Sequence, residues 1–169
     1  MKTLIRLMRI DDRLIHGQVA FVWVSTLKSN LIVVANDKYA NNKMLQTTLK
    51  LGKPSGIDMI VRTLEDTIKF LKTEVAQKKN IFLVVESTQD ALKLVSKIEE
   101  NQLNLPFDIC IGGVRPSNES ESKLVATQVY LTKEDIKNLD AMKKIGRSIF
   151  AQDVPSNKKV SFDNIKKKY

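Results

Sequence analysis

Two stretches constrain this chain more than any others: LIVVAN at residues 31–36 and NIFLVVES at 80–87. Each is an apolar run of strand length, rich in β-branched residues and lacking a polar residue at every second position. A strand that alternates in polarity buries one face, whereas a strand apolar throughout has to be covered on both. Longer segments of helical period separate such runs. This order implies an α/β fold: a three-layer open, mostly parallel sheet of about seven strands with helices on both faces.

The other elements follow the same logic. TLIRLMRI (3–10) is the first strand and GQVAFVWVSTL (17–27) the helix after it. DKYANNKMLQTTLKLG (37–52) is expected as one helix, stopped at Gly52 with Pro54 just beyond. IDMIVRT (57–63), FDICIGGV (107–114), LVATQVYL (124–131) and RSIFAQDVP (147–155) complete the strands. Thr63 with Asp66, Ser87 with Asp90 and Thr132 with Asp135 have capping-box spacing. They open the helices LEDTIKFLKTEVAQKK, ALKLVSKIEENQ and KEDIKNLDAMKKIG. Phe21, Trp23 and Met44 are assigned to the core. The polar segment RPSNESESK (115–123) fits either a mobile loop over a site or a plain surface connection. A length of 169 residues suits one domain, 1–169, with a basic C-terminal tail from about 157. Lys158, Lys159, Lys166, Lys167 and Lys168 crowd that tail, which is expected to be a flexible, solvated end.

Several chemistries are excluded. The single cysteine rules out an internal disulfide framework, and one histidine with one cysteine cannot supply the usual zinc ligands, so no metal is expected. A Walker loop, a serine elbow and a second histidine to serve as a base are all missing. No apolar run approaches the roughly 20 residues that span a bilayer, and the N-terminus does not resemble a signal peptide, so a cytoplasmic protein is expected. The net charge of +9 suits nucleic acid, anionic membranes and acidic proteins alike. A basic nucleic-acid-binding module is therefore one alternative. It lacks a reading motif and any aromatic cluster beside the tail, and no nucleic-acid partner is expected.

Open parallel sheets bind ligands at the carboxyl ends of their strands. The first such loop is RIDDRLIHGQV, which places the chain's only histidine, His16, before an apolar helix. The helix start directs free N–H groups and a positive dipole end at an anion there. Arg13 adds a permanently charged fork, and Gly17 permits close backbone approach. A phosphoryl group of about −1.5 to −2 charge finds its compensation in this loop. An imidazole nitrogen is a suitable acceptor and donor for it near neutral pH.

RIDDRLIHGQV, with Trp23 in the next helix, resembles the N-terminus of IIB components of the mannose/fructose/sorbose family of the bacterial phosphoenolpyruvate-dependent sugar phosphotransferase system (PTS). The resemblance continues through VVANDKYANNKMLQTTLKLGKPSGI, CIGGVRP, VYLTKED and QDVP, in order, over nearly the whole chain. Cys110 departs from it, standing where many relatives have asparagine. The resemblance implies a protein-Nπ-phosphohistidine–sugar phosphotransferase without cofactor. Such a carrier takes phosphate from a phosphohistidine of a IIA protein. It passes the phosphate to a sugar (mannose, fructose, sorbose or an amino sugar) entering through membrane components IIC and IID, with which it associates peripherally at the inner face. The phosphorylated residue falls on His16, at Nδ1, and the stabilising arginine on Arg13. Asp12, Gly17 and Gln18 match the motif as loop-shaping groups, and Arg9 is a further candidate for contact with phosphate or an incoming protein. Asn36 and Asp37 are either site residues or a helix cap, and Gly112 and Gly113 either backbone donors to phosphate or a tight turn. A regulatory phosphohistidine protein that phosphorylates no sugar is the other alternative.

Overall fold

The computed structural model describes residues 4–118 and 121–169. Its main sheet contains β1 (Leu4–Asp11), β2 (Leu31–Ala35), β3 (Asp58–Arg62), β4 (Asn80–Val85), β5 (Ile109–Gly113), β8 (Ile149–Ala151) and β9 (Val160–Ser161). Their spatial order is β3-β2-β4-β1-β5-β8-β9. All neighbours run parallel except β9, which returns antiparallel along β8. Thr3, expected at the head of the first strand, lies outside the described residues.

The unbroken apolar runs explain the layering. Leu31, Val33 and Ala35 of β2 and Ile81, Leu83 and Val85 of β4 face one core. That core is covered by α4 (Leu64–Leu71), α5 (Thr88–Glu100), α6 (Lys133–Ile145) and α7 (Phe162–Lys167), through residues such as Ile68, Leu94, Leu139 and Ile165. The alternate residues, Ile32, Val34, Phe82 and Val84, face a second core. It is closed by α1 (Gly17–Leu27) and α3 (Lys43–Leu51) through Ala20, Trp23, Val24 and Leu49. Side chains therefore leave β2 and β4 alternately into two dry layers, the three-layer α/β arrangement expected from their composition.

The helix starts behave as their sequences suggest. The hydroxyls of Thr63, Ser87 and Thr132 accept from the N–H groups of Asp66, Asp90 and Asp135 at 3.0, 3.1 and 3.2 Å. Satisfying an otherwise unpaired helix donor in this way contributes about 1 kcal/mol each.

Several expectations are corrected. The segment LVATQVYL is a separate antiparallel hairpin, β6 (Lys123–Ala126) and β7 (Val129–Leu131), outside the main sheet. The seventh strand of the main sheet is instead β9, from the supposed tail. That basic segment is folded: Phe162 and Ile165 are 2% and 0% exposed, and Ser161 caps α7. Its lysines stay at the surface while its two apolar side chains close the core. The single helix expected over 37–52 is two, α2 (Asp37–Ala40) and α3, because Asn42 opens a new helix by accepting from Leu45 N–H. The helix expected over 64–79 stops at Leu71, and a short 3-10 turn follows at Ala76–Lys78. Trp23 is in the core, but Phe21 and Met44 are 55% and 79% exposed. Phe21 lies off the inward stripe of Ala20, Trp23 and Val24. Among the described residues, no helix is long and apolar enough to cross a membrane.

Candidate functional site

The central strand β1 delivers the site. It lies between β4 and β5, and its carboxyl end carries Asp11 opposite Gly113, just after a register shift. The chain then turns through Leu14, which has a left-handed φ of 56°, and reaches His16 as the N-cap of α1. Leu14 and Ile15 are buried in the second core and anchor the loop from below. From the side, Gly52 at the end of α3 packs so closely that a Cβ there would lie 3.0 Å from the Ile15 carbonyl oxygen and 3.4 Å from His16 Cα.

A chain of charged contacts runs up to the imidazole. Trp23 donates from Nε1 to the Asp153 carbonyl at 2.9 Å, and its ring faces the Arg9 guanidinium, whose Cζ is 5.2 Å from the ring centroid. Arg9 donates through Nη1 to the Gln152 carbonyl at 3.0 Å and through Nη2 to Asp11 Oδ2 at 3.2 Å. The same Oδ2 lies 3.0 Å from His16 Nε2, while Oδ1 accepts from Arg13 N–H at 3.0 Å. Asp11 is fully buried, and burial on its own pushes a carboxyl pKa upward. The His16 hydrogen bond, the Arg9 charge and the Arg13 N–H together outweigh that effect and hold Asp11 below its ordinary value.

The chemistry of the carboxylate bears on the hydrogen-bond polarity. An ionised carboxylate only accepts, so His16 Nε2 carries the proton and donates. In the neutral ring Nδ1 is then the nitrogen with a free lone pair. The His16 side chain is 24% exposed and makes no capping bond to α1. A partly exposed ring bonded through Nε2 to a buried carboxylate, at the start of an eleven-residue helix, is equipped for nucleophilic attack through Nδ1 on an electrophile arriving from solvent.

The other sequence-predicted residues divide clearly. Arg13 is beside the site: its Nε is 3.7 Å from Asp11 Oδ1, its Nη2 donates to Gln128 Oε1 at 3.0 Å, and its side chain is 40% exposed. Gly17 and Gln18 are exposed in the first turn of α1, and Gly17 has a φ of 46°. Asp12 shapes the surroundings, its Oδ2 accepting from Arg115 N at 2.8 Å and Arg115 Nε at 3.1 Å. This fastens the start of the 115–123 segment to the His16 loop; residues 119–120 of that segment lie outside the described residues.

Arg9, expected at the phosphate or a protein partner, is 2% exposed beneath the loop, where it serves as the counter-charge of Asp11. Gly112 and Gly113, read as either backbone donors to phosphate or a tight turn, end strand β5 and so form no turn, and both make space for side chains of β1. A Cβ at 112 would fall inside the Arg9 guanidinium, and one at 113 would sit 3.2 Å from Asp11 Oδ1. The missing side chains on β5 create the slot in which the buried ion pair lies. Asn36 caps α2 through Tyr39 N–H at 3.0 Å and donates to Glu86, and Asp37 accepts from Leu64 N–H at 2.9 Å. Both are tied into helix starts beyond β4, apart from His16 in the strand order.

Sequence reasoning missed Asp11, Gly52, Arg115 and Gln128. Asp11 had a signal, because an acid just before a turn that returns a histidine to the same strand end is placed to bond it. Gly52 was recognised only as a helix stop. Arg115 and Gln128 reach the site through tertiary contacts that no local pattern marks.

Comparison with known proteins places this geometry. Residues 5–169 match the family described as PTS system sorbose subfamily IIB component. The chain is 34% identical over 160 residues to a probable phosphotransferase enzyme IIB component of Streptococcus pyogenes, covering 93% of this chain and 96% of that one. It is also 34% identical over 156 residues to the N-acetylgalactosamine-specific phosphotransferase enzyme IIB component 1 of Escherichia coli, covering 92% and 94%. The crystal structure of the IIB domain of the sorbose permease from Klebsiella pneumoniae superposes with a TM-score of 0.86 at 28% identity, covering 98% of both chains. With its sheet, its helices and nearly its full length matched, this chain belongs to the sorbose subfamily of PTS IIB components, the phosphotransferases of sugar uptake.

Proposed function

We propose that His16 is the phosphoryl carrier of this IIB component and that Nδ1 bears the phosphate. The observation that carries this reading is the 3.0 Å contact between His16 Nε2 and the buried Asp11 carboxylate, which leaves the lone pair on Nδ1. In the first step that lone pair forms an N–P bond as the N–P bond of a phosphohistidine on a IIA partner breaks in line with it. The ring keeps its Nε2 proton, so forming the bond makes it cationic, and Asp11 compensates that charge. A cationic imidazole is a good leaving group. In the second step a sugar hydroxyl forms an O–P bond, His16 departs as the neutral ring, and the hydroxyl proton is released.

The protein's contribution is positioning and electrostatics. Arg13 and the N–H groups at the start of α1 hold the phosphoryl oxygens, and Gly17 and Gln18 shape the approach to them. Asp12 holds the neighbouring loop in place. The whole chain, 1–169, acts as one IIB domain, working with a IIA protein and the membrane components IIC and IID at the cytoplasmic face. An exposed rim containing Arg13 and Arg115 suits an acidic IIA surface. The related proteins named for N-acetylgalactosamine and sorbose point to a hexose or amino sugar as the acceptor.

The decisive test uses labelled phosphoenolpyruvate with the general carrier proteins and IIA. Wild-type protein takes up label and His16→Ala takes up none; label retained by His16→Ala would refute the assignment.

A further inference from the structure

Arg13 has a partner for which the transfer chemistry alone gives no reason. Its Nη2 donates to Gln128 Oε1 at 3.0 Å, across 115 residues of chain. Gln128 lies in the turn between β6 and β7 and has a left-handed φ of 60°. We propose that Gln128 is a positioning residue that holds the Arg13 fork at the His16 loop without adding a second counter-charge, a role that rests on His16 being the phosphoryl carrier.

An arginine with a 40% exposed side chain samples many rotamers unless it is tied at more than one point. Arg13 is tied at two. Its Nε faces Asp11 Oδ1 at 3.7 Å, and its Nη2 meets Gln128 from the other side. These anchors set the plane of the guanidinium and leave its remaining donors for phosphate oxygens. The hairpin tip that supplies the second anchor is itself fixed. The Gln128 carbonyl accepts from Val114 N–H at 2.9 Å, and the Val114 carbonyl accepts from Tyr130 N–H at 2.9 Å. Val114 directly follows Gly113, the residue paired with Asp11. Both anchors of Arg13 thus descend from the same strand end that orients His16.

The chemistry of the acceptor matters as much as its position. A carboxylate at 128 would form an ion pair with Arg13 and compete with phosphate for it. An amide oxygen accepts the same hydrogen bond and adds no counter-charge to that of Asp11.

The test measures phosphoryl transfer from phosphorylated IIA by rapid quench, alongside melting temperature. Gln128→Gly removes the side chain and relieves the left-handed backbone, so its melting temperature should match or exceed wild type. Its transfer rate should fall about three- to tenfold, the scale of a lost hydrogen bond to a charged group at a partly exposed site. Gln128→Glu should also be slow, with the loss recovering as salt screens the added charge. In an Arg13→Ala background, Gln128→Gly should cause no further loss. Wild-type rate in Gln128→Gly, or an undiminished loss when Arg13 is already gone, would overturn the proposal. Wild-type rate in Gln128→Glu at low salt would overturn the requirement for a neutral acceptor. Failure of the wild-type protein to accept label would instead strike the His16 reading, so the two failures are distinct.

Discussion

Asp11→Asn tests the electrostatic heart of the site, because it preserves shape and one acceptor oxygen while removing the charge. Two consequences follow, of different size. Arg9 is 2% exposed and would keep its bond to the Gln152 carbonyl and its place over Trp23, but lose its counter-charge. Breaking a buried pair from one side costs about 3–5 kcal/mol, and the retained contacts place this variant near about 3 kcal/mol. The second consequence is kinetic. Opposite charges about 4 Å apart at an effective dielectric of about 20 attract by about 4 kcal/mol. Because the His16 side chain is 24% exposed, solvent screening lowers what is lost to about half of that. About 2 kcal/mol corresponds to roughly thirtyfold slower transfer per folded molecule. Urea unfolding and rapid-quench transfer from phosphorylated IIA measure the two effects separately. The ionisation of Asp11 makes the stability difference depend on pH. Asp11 has a folded pKa below its ordinary 3.8, so its contribution is complete above that value and is lost as pH falls through the lowered one. The stability gap between wild type and Asp11→Asn should therefore be constant near neutrality and narrow in acid. Equal stability and equal transfer rate in the variant, or nitrogen-15 spectra showing the proton on Nδ1 of the neutral wild-type ring, would refute the reasoning.

Other outcomes follow from the same region. Gly112→Ala should destabilise by about 3 kcal/mol in urea, because the new methyl displaces a buried guanidinium that has no alternative slot; a change under about 0.5 kcal/mol would mean that Arg9 moves freely. Burial pushes the Cys110 thiol up to about 11 against the pull of Arg9. A thiol reagent at pH 8 should therefore modify native protein only as fast as it unfolds, and rapid labelling of the folded state would contradict the packing around β5.

Much of the fold was legible because the two cores are written as uninterrupted β-branched runs. Ile32 and Val33 face opposite layers, each lined at β2 and β4 by apolar side chains. The hairpin was not legible. Its turn contains no glycine or proline, and the left-handed residue there is Gln128, so LVATQVYL looks like one strand. In the last dozen residues, five lysines hid Phe162 and Ile165, although Ser161 with Asn164 already suggests a helix start, and their N–H···Oγ bond is 3.3 Å. Met44 was assigned to the core on hydrophobicity alone, yet in α3 the inward position belongs to Leu49. At the site, His16 and Arg13 stood out because residue type and loop position agree. The roles of Asp11 and Asp12 did not, since the register shift after Ile10 decides which of two adjacent carboxylates turns inward. Arg9 was misplaced for a related reason: its buried position depends on a slot that two glycines open more than a hundred residues later.

The placement of β1 in the middle of the sheet has a consequence for biosynthesis. The segment carrying His16 leaves the ribosome before its flanking partners, residues 80–85 and 109–113. Until those emerge, Arg9 and Asp11 have no slot to occupy and the imidazole has no fixed neighbour. A nascent or truncated chain can therefore expose the histidine without the Asp11 contact that orients its ring. Only a chain that has assembled its distant strands presents His16 against a buried, charge-paired carboxylate.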